Sequence, residues 1–233
     1  MLNEAITTYG KDIDFLVALI AVIVGFFWIV CEGLFFWLIW KFRARDGHST
    51  KYVPGETKEE KKWISRAHVL ILLCDIVIVV FAVRVWVEVK QTLPEPENAQ
   101  VVRVVGQQWA WSFEHPGADG VLEASEAHPN ATDDNIWMVD ELHLEVGQIY
   151  HYKLESRDVL HSLSIPAFRL KQDAIPGRQI MGWFKPLETG KYDFQCAEMC
   201  GIGHGVMGAQ VYIETPENHA AWMATHGSVA AND

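Results

Sequence analysis

The chain has 233 residues, half of them apolar, and a net charge of −11. That length holds one large domain or two small ones with a proper core. The negative balance excludes a nucleic-acid binder, which needs cations for the phosphates. The charge is also confined: 9 Lys and Arg stand against 20 Asp and Glu from Lys90 onward, whereas the residues before it hold 10 of each.

Taken in chain order, Phe15–Trp40 is almost wholly apolar, broken by Cys31, Glu32 and glycines, and a second run extends from Val69 to Val87. Each is long enough to cross roughly 30 Å of hydrocarbon as a helix. Lys41, Arg43, Arg45, Lys51, Lys58, Lys61, Lys62 and Arg66 lie between them, while the N-terminal tail has only Lys11 against Glu4, Asp12 and Asp14. Because positive charge stays in the cytoplasm, residues 1–90 are expected to form a transmembrane hairpin. Its helices run over about 15–41 and 66–89, its loop 42–65 is cytoplasmic, and both termini lie outside. The first run is too long for the apolar part of a signal peptide and no small-residue cleavage site follows, so it reads as a retained anchor. Cys31 and Cys74 read as small apolar residues there. Glu32, Asp75 and Arg84 are costly in lipid and are expected to face neighbouring subunits, with a local proton or ion-pair network as the sharper alternative for Glu32 or Asp75.

Residues 91–98 are a polar linker marked by Pro94 and Pro96, and 99–233 form an exported domain. Its β-forming stretches (Val101–Val105, Gln108–Phe113, His143–Val146, Ile149–Leu154, Lys191–Phe194, Gly208–Ile213) are short and bounded by Gly, Pro, Asn or Asp. This is the pattern of an all-β sandwich. Thr215 and Pro216 then signal a short final helix through Trp222. Between Arg103 and Lys153 no Lys or Arg occurs, yet there are nine acids: Glu114, Asp119, Glu123, Glu126, Asp133, Asp134, Asp140, Glu141 and Glu145. They make either a solvated surface or a docking field for a basic partner.

The segment from Cys196 to Met207 places two thiols four residues apart, an imidazole at His204 and a thioether at Met207. This soft donor set suits copper better than zinc or the hard-oxygen metals. Two cysteines alone would suggest a disulfide outside the cytoplasm; the added His204 and Met207 favour a metal. A small sandwich with a ligand loop between its last two strands describes a cupredoxin, which takes one more ligand from an earlier loop, and His161 is the candidate. Two thiolates exceed what one blue-copper site needs. Cys196 and Cys200 would bridge two coppers, with His161 and Met207 on one, and His204 with the main-chain carbonyl of Glu198 on the other.

These features together resemble subunit II of a haem–copper cytochrome c oxidase. The resemblance is carried by the hairpin, the segment Gly106–Trp111, Asp158–Ser162, Leu170–Arg178 and the loop Cys196–Met207. It implies a membrane hairpin joined to a cupredoxin-like Greek-key sandwich, with a binuclear copper centre that receives electrons from cytochrome c or a cytochrome c domain. They would pass to haem in the catalytic subunit I, where oxygen is reduced with proton translocation. It further implies Trp109 as the entry point, a magnesium ion bound partly by the Glu198 carboxylate and shared with the catalytic subunit, and Glu60 as a candidate proton-channel mouth. The implied location is the inner (cytoplasmic) membrane, with both termini and the copper domain on the periplasmic side and the mitochondrial inner membrane as the less favoured alternative, in company with other oxidase subunits. The chain departs from the family at Ala110, where an aromatic residue is usual. It has no haem-ligand cluster or Cys-x-x-Cys-His site of its own. A related nitric oxide reductase complex is one alternative, and a membrane-tethered copper carrier another; ligands drawn from separate loops argue against the carrier.

Overall fold

A computed structural model describes residues 4–47, 54–95, 99–117, 119–122 and 134–230, apart from the side chains of Trp63 and 228–230. Two compact units emerge. Asp12–Val87 is one; Glu88–Asp233 together with Met1–Lys11 is the other.

The first unit holds α1 (Gly10–Phe42) and α2 (Lys58–Trp86). Each is long and apolar enough to cross a membrane. In α1, Asp12 stands in the first turn and Lys41 in the last, both favourable to the helix dipole. The sequence places the start of α2 near residue 66, but the helix begins eight residues earlier. Thr57 and Glu60 form a capping box there: the Glu60 N–H donates to Thr57 Oγ1 (3.3 Å), and the Thr57 N–H donates to Glu60 Oε2 (3.1 Å). α2 runs into one π-helical turn, Val87–Gln91. Residues 96–98 of the expected linker, and Lys51, lie outside the described residues.

The second unit is a sandwich of two five-stranded sheets. Its strands are β1 (Ala99–Gln107), β2 (Ala110–His115), β3 (Ile136–Val139), β4 (Glu141–Glu145), β5 (Ile149–Ser156), β6 (His161–Ile165), β7 (Leu170–Ala174), β8 (Ile180–Phe184), β9 (Gly190–Cys196) and β10 (Gly208–Glu214). One sheet has the order β3-β2-β1-β5-β8 and the other β4-β10-β9-β6-β7. β1 pairs with β5, and β10 with β4, in parallel; the other pairings are antiparallel. Side chains alternate along the strands, so Val102, Val104, Tyr150, Tyr152 and Leu154 all point into the core. Trp111 and Phe113 meet the edge of Phe194 from the opposite sheet, with ring centroids at 4.9 and 5.3 Å.

Two additions complete this unit. Ahead of α1, the N-terminal segment lies along the sandwich. The Ile6 N–H donates to the Ala167 carbonyl (3.0 Å), the Leu187 N–H donates to the Ile6 carbonyl (2.8 Å), and Thr7 bridges to Pro186. Ile6, Thr7 and Tyr9 are buried, and the Tyr9 ring meets Trp183 edge-on at 5.3 Å. At the other end, α3 (Pro216–Ala230) continues well past the expected Trp222. Trp222 stacks on His143 (4.3 Å, 11°) and meets the edge of the buried His115 at 5.1 Å. Glu214 lies 3.2 Å from Nδ1 of both His143 and His219.

Candidate metal centre

The end of the second sheet gathers the soft donors. β9 ends at Cys196 and β10 begins at Gly208, so the loop between them must turn back within eleven residues. Two main-chain bonds set that return. The Cys196 N–H donates to the Met207 carbonyl (3.1 Å), and the Ala197 N–H donates to the Ser162 carbonyl (2.9 Å). The first bond brings Met207 beside Cys196. The second extends the pairing of Leu163 with Cys196 and carries His161, at the start of β6, to the same place. A 3-10 turn at His204–Val206 points His204 back towards Cys200.

The two thiol sulfurs lie 3.8 Å apart, both free. Cys196 Sγ is 3.9 Å from His161 Nδ1 and 3.3 Å from the Glu198 carbonyl oxygen. Cys200 Sγ is 3.7 Å from both His204 Nδ1 and Met207 Sδ. The ligand atoms of His161, Cys196 and Cys200 all fall within 4.8 Å of one another. His161, Cys196, Cys200 and Met207 are buried and His204 is half-buried. All six expected donors therefore converge. Two thiols, two imidazoles, a thioether and one carbonyl fit copper by softness.

The surroundings orient these donors. His161 Nε2 lies 2.8 Å from Asp158 Oδ1, which leaves Nδ1 for the thiol side. Burial works against charge on Asp158. Hydrogen bonds from the Gln108 N–H, His161 and the Val159 N–H outweigh it and hold its carboxyl below the usual range. Burial pushes the Cys200 thiol up to about 11, with Cys196 adding to the effect. Gly106 lies against the His161 ring: a Cβ there would be 3.1 Å from ring carbons of both His161 and Trp111, so glycine permits this approach.

Trp109 sits at the turn between β1 and β2 and is 42% exposed. Its indole packs on the metal loop so closely that a Cβ at Gly203 would stand 2.5 Å from Cγ and Cδ2 of the ring. Around it the loop presents Met199, Ile202 and Val206, exposed by 73, 99 and 85%. Glu60 belongs to the membrane unit, where its carboxylate caps α2. Glu198 is half-buried, and its main chain faces the thiols.

The acidic stretch divides on inspection. Glu114 is buried and pairs with Arg103 at 2.7 Å, so it contributes nothing to a docking field. Asp140 accepts the Trp111 N–H (2.8 Å). Glu123, Glu126 and Asp133 lie outside the described residues. Sequence reasoning missed three features: the roles of Gln108 and Asp158, the histidines around Trp222, and the N-terminal segment. Asp158 was signalled by its place three residues before His161; Ile6 and Tyr9 carried no motif.

A family model described as the periplasmic domain of cytochrome c oxidase subunit II matches residues 100–214. The alternative cytochrome c oxidase subunit 2 of Bradyrhizobium diazoefficiens is 32% identical over 218 residues, covering 86% of this chain and 75% of that protein. The chain belongs to the cytochrome c oxidase subunit II family. Subunit 2 of Cereibacter sphaeroides is 27% identical over 236 residues, spanning 92% of this chain and 76% of its own length. Among solved structures, the periplasmic domain of subunit II from Bradyrhizobium japonicum is 25% identical with a TM-score of 0.49, covering 59% of this chain and 99% of that one. Membership makes the chain a subunit of a haem–copper oxidase complex. Its architecture is the family's: an apolar helical hairpin with a cupredoxin-like sandwich.

Proposed function

We propose that this chain is the electron-entry subunit of its oxidase, accepting electrons from a cytochrome c-type donor at Trp109 for delivery to haem in the catalytic subunit, where oxygen is reduced. The observation that carries this reading is the contact of a half-exposed indole with a loop that supplies five of the six donors. Cys196 and Cys200 would hold a copper pair between them, which would supply one-electron chemistry. His161 and Met207 would serve one copper, and His204 with the Glu198 carbonyl the other. The chain's own part is to exclude water from the thiols, to hold His161 by Asp158, and to offer an apolar rim at Met199, Ile202 and Val206 for a partner surface.

The Glu198 carboxylate would supply one oxygen to the magnesium ion that the resemblance implies. A magnesium site needs several oxygen ligands, and His161, Cys196 and Cys200 are the one metal-ligating group among the described residues. The remaining ligands would belong to the catalytic subunit. Glu60 would stand at the mouth of a proton channel while also capping α2.

The basic loop between the two helices supports a topology in which both ends of the hairpin open on the periplasmic side. The basic residues between the helices then lie in the cytoplasm and the sandwich in the periplasm. Copper titration of the full chain in detergent, followed by electron paramagnetic resonance, tests the centre. The expected result is two coppers per chain sharing one unpaired electron. A single-copper spectrum, or oxidation of the thiols to a silent disulfide, would overturn it.

A further inference from the structure

We propose that Gln108 is a positioning residue: it braces Trp109 against both sides of the metal site. This rests on the reading of Trp109 as the entry point. Gln108 makes two bonds in opposite directions. Its main-chain N–H donates to Asp158 Oδ2 at 2.7 Å, and the other oxygen of that carboxylate is 2.8 Å from His161 Nε2. Its side-chain Nε2 donates to the Cys200 carbonyl at 2.8 Å. One residue therefore ties the β6 ligand to the β9–β10 ligand loop, and the next residue in the chain is Trp109.

The geometry explains why such a brace is needed. Trp109 packs against the loop and is 42% exposed. A half-exposed ring on a turn keeps its place only if the main chain on each side is held. On the β2 side the Trp111 N–H donates to Asp140 Oδ1 (2.8 Å), and the Asp140 N–H donates to the Trp111 carbonyl (2.8 Å). On the β1 side Gln108 is the anchor. A Cβ at Gly201 would fall 3.0 Å from Gln108 Nε2 and 3.1 Å from Trp109 Nε1, so the amide and the indole rest on the same stretch of loop.

The test is Gln108→Leu, which keeps the side-chain bulk and the main-chain bond to Asp158 but removes the donor to Cys200. The side chain is exposed, so the fold has no reason to fail. In the metal-free full chain, hydrogen exchange across residues 201–206 should quicken about fivefold, the scale of one lost hydrogen bond. In the assembled oxidase, kcat with reduced cytochrome c should fall about fivefold, with KM within twofold and the copper spectrum unchanged. A raised KM with unchanged exchange would overturn the proposal, since Gln108 would then touch the donor. An altered copper spectrum would overturn it too, since Gln108 would then shape the metal site. Trp109→Phe separates this inference from the one beneath it. If Trp109→Phe leaves electron entry at the parent rate, the entry reading fails and the exchange result still decides the brace. If Trp109→Phe slows entry while Gln108→Leu matches the parent in exchange and kcat, the brace alone is refuted.

Discussion

Acid should loosen the β-sandwich through one buried ring. His115, on β2, is buried beneath Trp222 with Nε2 unpartnered. Burial, with lesser contributions from the nearby His219 and His143, drives its pKa from 6.5 down to about 3. The titratable groups that act on it are His219 and His143, which pair in turn with Glu214 and, for His143, Glu141. A depressed histidine stays neutral when folded but takes a proton when unfolded. Its contribution is thus complete above pH 6.5 and is lost as the pH falls from there towards about 3. At pH 5 the loss is about 2 kcal/mol, from 1.36 kcal/mol per unit over roughly 1.5 units. His143 acts in the same direction, because burial outweighs its pairing with Glu214 and Glu141. Urea unfolding of the full chain in detergent, followed by near-ultraviolet circular dichroism, should show a midpoint about 1 M lower at pH 5 than at pH 7, for a typical slope of 1–3 kcal/mol/M. In His115→Leu this pH dependence should shrink by about 2 kcal/mol whatever the variant's stability at pH 7. An undiminished acid loss in that variant would refute the reasoning.

Gly203→Ala would put a methyl 2.5 Å from the Trp109 ring, about 0.9 Å inside ordinary contact at 3.4 Å. Stopped-flow oxidation of reduced cytochrome c should then slow severalfold while copper content stays at the parent level; an unchanged rate would show that the ring's seat does not matter. Ile6→Ala should destabilise the sandwich by about 2–4 kcal/mol, as buried aliphatic truncations do, read as a lowered thermal midpoint. Glu32→Gln and Asp75→Asn should assemble and turn over like the parent if these groups simply pack against neighbouring subunits, and lost proton translocation would instead assign them to a proton or ion-pair network. Turnover with a basic cytochrome c should fall as ionic strength rises, and indifference to salt would remove any steering role from the remaining acidic surface.

The metal centre was legible because ligand chemistry is written in residue type and spacing. Cys196, Cys200, His204 and Met207 lie within twelve residues, and strand pairing could hardly separate them. His161 was legible only as a likeness, since nothing local links residue 161 to residue 196; the pairing of Leu163 with Cys196 does. The strands β3, β6, β7 and β8 escaped the pattern; in β3 and β8 the outward residues include Trp137, Val139 and Met181, which blur the alternation. Glu114 misled for the opposite reason: a carboxylate in an acidic stretch reads as surface, yet Arg103 on the adjacent strand draws it inside. The packing of Ile6 and Tyr9 depends on partners more than 150 residues away and has no local signature at all.

That N-terminal packing makes the sandwich a discontinuous domain. Its first residues are synthesised before the membrane hairpin and its remainder after, with residues 12–87 in between. The sheet surface around Ala167, Pro186 and Leu187 stays uncovered until the residues ahead of α1 reach the folded strands. Closure of that surface records that the two ends of the domain have met: a chain whose first residues failed to reach the sandwich would leave Ile6, Thr7 and Tyr9 uncovered.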